Sequence, residues 1–219
     1  MTHQFPTKPA LNQALCERIT KDLESALARK GSASLLLSGG SSPKDLYRLL
    51  SLSKLDWSKI KIGLVDERYV TNDSEFSNEK LVRETLLSHE AENAPLFPMV
   101  LDAENEARNI ELLEQEYSVF QNADVVLLGM GDDGHTASIF PNDPESEEAQ
   151  QTHKNVLSTK APVHPQHRIT CSAQLLKSAS SIYLLITGSK KFQVLESAEE
   201  KAYPIAAFKP YLNAIYFCI

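Results

Sequence analysis

The chain has no apolar run approaching the roughly 20 residues that span a bilayer, so no membrane span is expected. Cysteine is scarce: Cys16, Cys171 and Cys218 are far apart, odd in number and never spaced as CxxC. That spacing argues against a zinc site or a disulfide framework and suits a reducing compartment. Basic charge is in deficit, with Lys+Arg 22 against Asp+Glu 29 and a net charge of −7. General nucleic-acid binding, which needs a basic surface, is therefore not expected, although a local basic pocket remains open. His135, His153, His164 and His167 lack ligand spacing such as HExxH, so no metal is expected. The first ten residues lack the apolar core of a signal peptide, and a cytoplasmic location is expected.

Apolar periodicity supplies the fold. Leu11, Ala14, Leu15, Ile19, Leu23, Ala26 and Leu27 recur at helical spacing, and Gly31 follows as a stop. Ser34 to Ser38 is a short buried strand, followed by a turn at Gly39-Gly40-Ser41-Ser42-Pro43. A helix then runs to about Leu52, with Ser42 suited to the N-cap. Ile60 to Val65 is a second strand, and Ser77-Asn78 opens a helix with Leu81, Val82, Leu86 and Leu87 inward. Residues 104–120 are helical, and 124–128 form a third clear strand. Weaker strands fall at 168–171, 181–187 and 214–218, with a helix over 188–198. Residues 142–167 are polar and proline-bearing and are expected to form a long loop with one short helix.

Strands alternating with helices predict a three-layer α/β/α fold. It is a Rossmann-like, mostly parallel sheet with helices on both faces, in one domain over residues 1–219. In such sheets ligands bind beyond the carboxyl ends of the strands. Three strands end in unusual polar sequence: Gly39 to Ser42, Asp66-Glu67-Arg68, and Gly129 to Thr136. If the sheet is parallel, all three converge on one edge and form one site.

Each motif also has a plainer explanation. The Gly39-Gly40-Ser41-Ser42 turn can cradle a phosphate with backbone N–H groups, or be a tight turn that binds nothing. It is not a Walker loop. Asp66-Glu67-Arg68 alone reads as a surface ion pair, although Arg68 offers a planar fork for an anion. Gly129, Gly131 and Gly134 match GxGxxG, but Asp132 and Asp133 would repel a pyrophosphate and no acidic residue follows about 20 positions on. Asp133 and His135 suit acid-base catalysis, with Asp133 orienting the imidazole. Arg168 and Lys191, taken singly, read as solvent-facing cations, and Lys190 leaves the second assignment open by one residue.

Ser38 to Pro43, Asp66 to Val70, Ser77-Asn78, Gly129 to Pro141, Arg168 to Thr170 and Gly188 to Lys191 occur in the order and spacing of the 6-phosphogluconolactonases. The resemblance spans about residues 10–205, and its GMGxDGHTAS-x-FP segment is the most specific part. The first and second segments are shared in looser form with the glucosamine-6-phosphate deaminases, the nearest rival reading. Ser42, Thr71 and Phe192 stand where threonine, proline and alanine are usual, and family members often carry a longer tail.

The resemblance implies hydrolysis of 6-phospho-D-glucono-1,5-lactone to 6-phosphogluconate in the pentose phosphate pathway, without metal or cofactor. The expected partner is the small sugar-phosphate lactone, and the expected state is a monomer or weak homo-oligomer. In the mechanism this suggests, His135 activates water and Asp133 supports it. Backbone N–H groups of Gly39-Gly40 or Gly129-Gly131, with Arg68, hold the oxyanion. Ser41, Ser42, Arg168 and Lys191 are expected to contact phosphate and hydroxyls, with Asp66 and Gly131 also in the binding site.

Overall fold

The structure, a computed structural model, describes residues 1–219. Its strands are β1 (Thr2–Phe5), β2 (Ala33–Leu37), β3 (Ile60–Leu64), β4 (Asp66–Arg68), β5 (Val125–Leu128), β6 (Val156–Lys160), β7 (His167–Cys171), β8 (Ser181–Thr187) and β9 (Ala214–Cys218). Its helices are α1 (Lys8–Lys30), α2 (Lys44–Leu50), α3 (Asn78–Thr85), α4 (Glu106–Glu116), α5 (Pro144–Gln151), α6 (Ala173–Lys177) and α7 (Ser189–Glu196). None is long and apolar enough to cross a membrane.

Six strands form a sheet in the order β1-β9-β8-β5-β2-β3, every neighbouring pair parallel. Its central strands are buried at every residue: β2 is Ala-Ser-Leu-Leu-Leu and β5 is Val-Val-Leu-Leu. Unbroken apolar runs of this kind fit strands covered on both faces. The chain passes from β2 to β3 on one side, then returns to place β5 on the other side of β2. The order therefore reverses between β2 and β5, and a crevice opens at their carboxyl ends.

α1 shows how sequence makes the cover. Thr7 caps it by accepting from the Ala10 N–H at 3.3 Å, and Gly31 ends it in a left-handed turn with φ 74°. Leu11, Leu15, Ile19 and Leu23 between them are fully buried. Each such side chain contributes about 1.5–3 kcal/mol of transfer free energy. They join one continuous core of 55 buried residues.

The structure corrects several expectations. Residues 142–167 hold the one short helix expected, α5, but also a strand, β6, where only loop was expected. With β4 and β7, β6 forms a second sheet, three-stranded and antiparallel, in the order β4-β7-β6. The short strand β1 is additional to the expected set. Ser42 does not cap α2; Pro43 occupies that position without a side-chain bond. The helix expected over 104–120 is α4 followed by a 3-10 turn, Tyr117–Phe120.

Candidate active site

All three polar strand ends meet, as the convergence argument requires. One cavity of about 270 Å³ is lined by Gly39 to Ser42 after β2, by Asp66 and Arg68 of β4, and by Gly129, Gly131 and His135 after β5. Lys191, from the first turn of α7, also reaches it. An adjoining groove shares Asp66, Arg68 and His135 and adds Asp133 and Arg168.

The loop after β5 is tied back on itself. The Gly131 N–H donates to the His135 carbonyl at 2.9 Å, and the Thr136 hydroxyl donates to the Gly129 carbonyl at 2.8 Å. Inside this loop His135 Nδ1 lies 2.5 Å from Asp133 Oδ1, which also accepts from the His135 N–H at 3.2 Å. Burial acts to raise the Asp133 carboxyl, but the His135 ring and backbone outweigh it and leave the group below its usual value. Phe140 packs on the imidazole, ring centroids 4.7 Å apart.

Gly131 is required by this geometry. A Cβ there would fall inside contact distance of His135 Cε1 and Nδ1, and 2.7 Å from Asp133 Oδ1. The dyad occupies the volume that any larger residue would take.

Asp66-Glu67-Arg68 is not a surface ion pair. Glu67 is 1% exposed and caps α3, accepting from the N–H groups of Arg68, Asn78 and Glu79 at 2.7–2.8 Å and from the Ser77 hydroxyl at 3.1 Å. Burial pushes its carboxyl up to about 7, against the pull of those backbone donors. Glu67→Ala would strand four donors beside the site and is expected to cost about 3 kcal/mol of stability. Urea unfolding measures this; a loss below about 1 kcal/mol would mean the donors find other acceptors.

Arg68 and Arg168 are directly opposed across the β4–β7 pair. Like charges in that relation are unfavourable without an anion between them. Each spends a hydrogen bond on a backbone carbonyl: Arg68 Nη1 on Phe76 at 2.5 Å, Arg168 Nε on Pro165 at 2.8 Å. The Arg68 Nε is buried with no partner. Burial first, then the Arg68 charge, lowers the pKa of Arg168. Arg168 is only 7% exposed, so reading it alone as solvent-facing is corrected.

The two neighbouring lysines lie in different places. Lys191 lines the cavity and donates to the Met130 carbonyl at 2.6 Å. Lys190 points to the surface and pairs with Asp132 at 2.7 Å, lowering that carboxyl.

The backbone N–H groups of Gly39, Gly40, Ser41 and Ser42 donate to no protein acceptor, whereas that of Gly131 is committed. No group of three or more His, Cys, Asp or Glu side chains is arranged to hold a metal ion. Cys171 packs at the core, its thiol donating to the Leu64 carbonyl.

Sequence reasoning assigned no role to Asn78 or Ser138, although both fall in family-like segments. Ser138 Oγ donates to Asp66 Oδ2 at 2.5 Å and so ties the dyad loop to β4. Asn78 showed as a helix start and as part of one family-like segment; its place at the cavity comes from the tertiary fold.

Comparison with known proteins follows the geometry. A family model described as glucosamine-6-phosphate isomerases/6-phosphogluconolactonase matches residues 6–216. A 6-phosphogluconolactonase of Rhizobium meliloti is 40% identical over 200 residues, which is 90% of this chain and 86% of that protein. One from Pseudomonas aeruginosa is 37% identical over 203 residues, 90% of this chain and 85% of the relative. Among solved structures, a 6-phosphogluconolactonase from Shewanella baltica aligns with TM-score 0.92 and 36% identity, covering 100% of this chain and 96% of the other. One from Trypanosoma brucei aligns with TM-score 0.84 and 25% identity, covering 100% and 95%.

Proposed function

The chain belongs to the glucosamine-6-phosphate isomerase/6-phosphogluconolactonase family and is a lactone hydrolase of the 6-phosphogluconolactonase type, and on that premise we propose a metal-independent mechanism with His135 as the general base. The substrate is 6-phospho-D-glucono-1,5-lactone and the product 6-phospho-D-gluconate. The observation that carries the reading is the pairing, around one shared opening, of an Asp–His dyad with two arginines that no carboxylate binds.

Asp133 at Nδ1 keeps the imidazole proton on that nitrogen and leaves Nε2 free to take one from water. The water oxygen bonds to the lactone carbonyl carbon, and the carbonyl oxygen becomes an oxyanion. The uncommitted N–H groups of Gly39 and Gly40 suit that charge better than the engaged N–H of Gly131. The carbon–ring-oxygen bond then breaks, and the imidazolium returns its proton to the ring oxygen. Arg168 holds the phosphate together with Lys191, Ser41 and Ser42. Arg68, which borders both cavity and groove, spans the reacting and anionic ends. The steps written here need no metal, because the base is His135 and the oxyanion charge falls on backbone N–H groups.

One continuous core supports reading residues 1–219 as one domain. Three buried free thiols suit the cytoplasm, where we place it as a monomer or weak homo-oligomer.

The test is the rate at which freshly generated lactone opens with enzyme, above the spontaneous rate. Lys191→Ala is expected to raise KM about tenfold or more with kcat little changed, the signature of lost uniform binding. Lys190→Ala is expected to change neither by more than about twofold, because an exposed ion pair contributes little. The opposite pattern would move the phosphate contact to Lys190. No acceleration by the wild type would refute the lactonase reading itself.

A further inference from the structure

We infer that Asn78 is a specificity-determining residue, accepting a hydrogen bond from a ring hydroxyl and so selecting polyhydroxylated lactones; this rests on the lactonase reading above. Asn78 is 2% exposed, yet it lines the cavity beside Gly39, Gly40 and Asp66. Its backbone N–H is taken by Glu67 at 2.8 Å, and its Nδ2 donates to the Asp66 carbonyl at 2.9 Å. That second bond fixes the amide orientation, because a carbonyl can only receive a donor. Oδ1 is left at the open side with no protein group donating to it.

The chain makes room for this amide. A Cβ on Gly39 would overlap the Asn78 side chain at Oδ1, Cγ and Nδ2. Residue 39 must lack a side chain for the amide to lie against the turn that borders the cavity.

Chemistry gives the amide its task. The cavity is dominated by donors: Arg68, Lys191 and the free N–H groups of Gly39 to Ser42. Donors suit a phosphate and a carbonyl oxygen, but a hydroxyl also presents a proton that needs an acceptor. Two side-chain acceptors stand ready. Asp66 has one oxygen occupied by Ser138 and the other unengaged, and Asn78 Oδ1 is adjacent along the same wall. An amide oxygen accepts without adding a negative charge near a phosphorylated substrate, which a second carboxylate would do.

The experiment is a cycle between substrate and protein. kcat/KM is measured for the parent phosphorylated lactone and for its 2-, 3- and 4-deoxy analogues, with wild type, Asn78→Ala and Asn78→Ser. The wild type is expected to lose about tenfold or more on one deoxy analogue, the scale of one neutral hydrogen bond. Asn78→Ala should lose a similar factor on the parent and nothing further on that analogue. Asn78→Ser, whose hydroxyl is too short to reach the Oδ1 position, should behave as Asn78→Ala does. A purely structural role would lower all four substrates equally. Additive losses at every hydroxyl, or a wild type indifferent to all three deletions, would overturn the inference. If Asn78→Ala does not fold, Asn78→Ser decides: wild-type discrimination retained there, with no oxygen able to reach the Oδ1 position, refutes it. Failure of the wild type to open the parent lactone would instead refute the lactonase reading.

Discussion

Replacing His135 with alanine is expected to slow lactone opening by roughly 10²–10⁴-fold, the usual contribution of a positioned general base. Its imidazole is held by one strong contact, 2.5 Å to Asp133, and by the Phe140 ring, and it opens on both the cavity and the groove. Because the side chain is partly exposed, its removal leaves little void, and folding should be close to wild type. Steady-state rates on fresh lactone, corrected for spontaneous opening, measure the effect. A loss under tenfold would remove His135 from the role of base. Linkage gives a second signature. The Asp133 carboxyl is depressed in the folded protein, so its stabilising effect is present above the unfolded value and lost as pH falls through the folded one. His135→Ala deletes the partner that lowers it, so the acid limb of the unfolding curve should shift upward in pH.

Gly131→Ala is expected to reach a loss within about tenfold of His135→Ala while retaining both catalytic side chains. The added methyl would meet the imidazole on two of its atoms and the Asp133 carboxylate on another. The backbone around Gly131 is pinned by its N–H bond to the His135 carbonyl and by the Gly134 N–H bond to its own carbonyl at 3.1 Å. The ring is therefore the part that moves, and its open side lets it swing outward. Such a displacement of an ångström or more costs orders of magnitude in rate when reacting groups must be aligned. Proton NMR of the imidazole in the variant should show loss of the short Asp133 contact. Near-normal activity would mean that the dyad tolerates another arrangement and that its spacing is not what the reaction depends on.

The central sheet was legible because β2, β5 and β8 are largely apolar runs, each followed within two residues by glycine. The small antiparallel sheet was not. Asp66-Glu67-Arg68 has no strand propensity of its own and is extended because β7 pairs with it. Val156–Lys160, Val-Leu-Ser-Thr-Lys, is short and half polar, so nothing in it separated a strand from the surrounding loop. The same limit applied within the site. Asp133 and His135 are two residues apart and could be read as a unit. Arg68 and Arg168 become neighbours only through strand register, so each alone read as a surface cation. Asn78 gave no chemical signal, because its meaning lies in the two groups its amide touches and the one it leaves free.

The reversal of strand order between β2 and β5 also bears on how activity appears during folding. The turn after β2 and the dyad loop after β5 are adjacent only because β2 and β5 pair, and the hydrogen bond from the Ser34 N–H of β2 to Asp124, the residue just before β5, closes a separation of 90 residues. Long-range parallel pairings of this kind form late, since loop closure must precede the contacts that reward it. Helix signal should thus recover before catalysis on dilution from denaturant, and the lag between the two would time the docking of β5 against β2. Turnover in this chain is consequently expected to report the docking of β5 against β2, and molecules that lack it, however helical, should be catalytically silent.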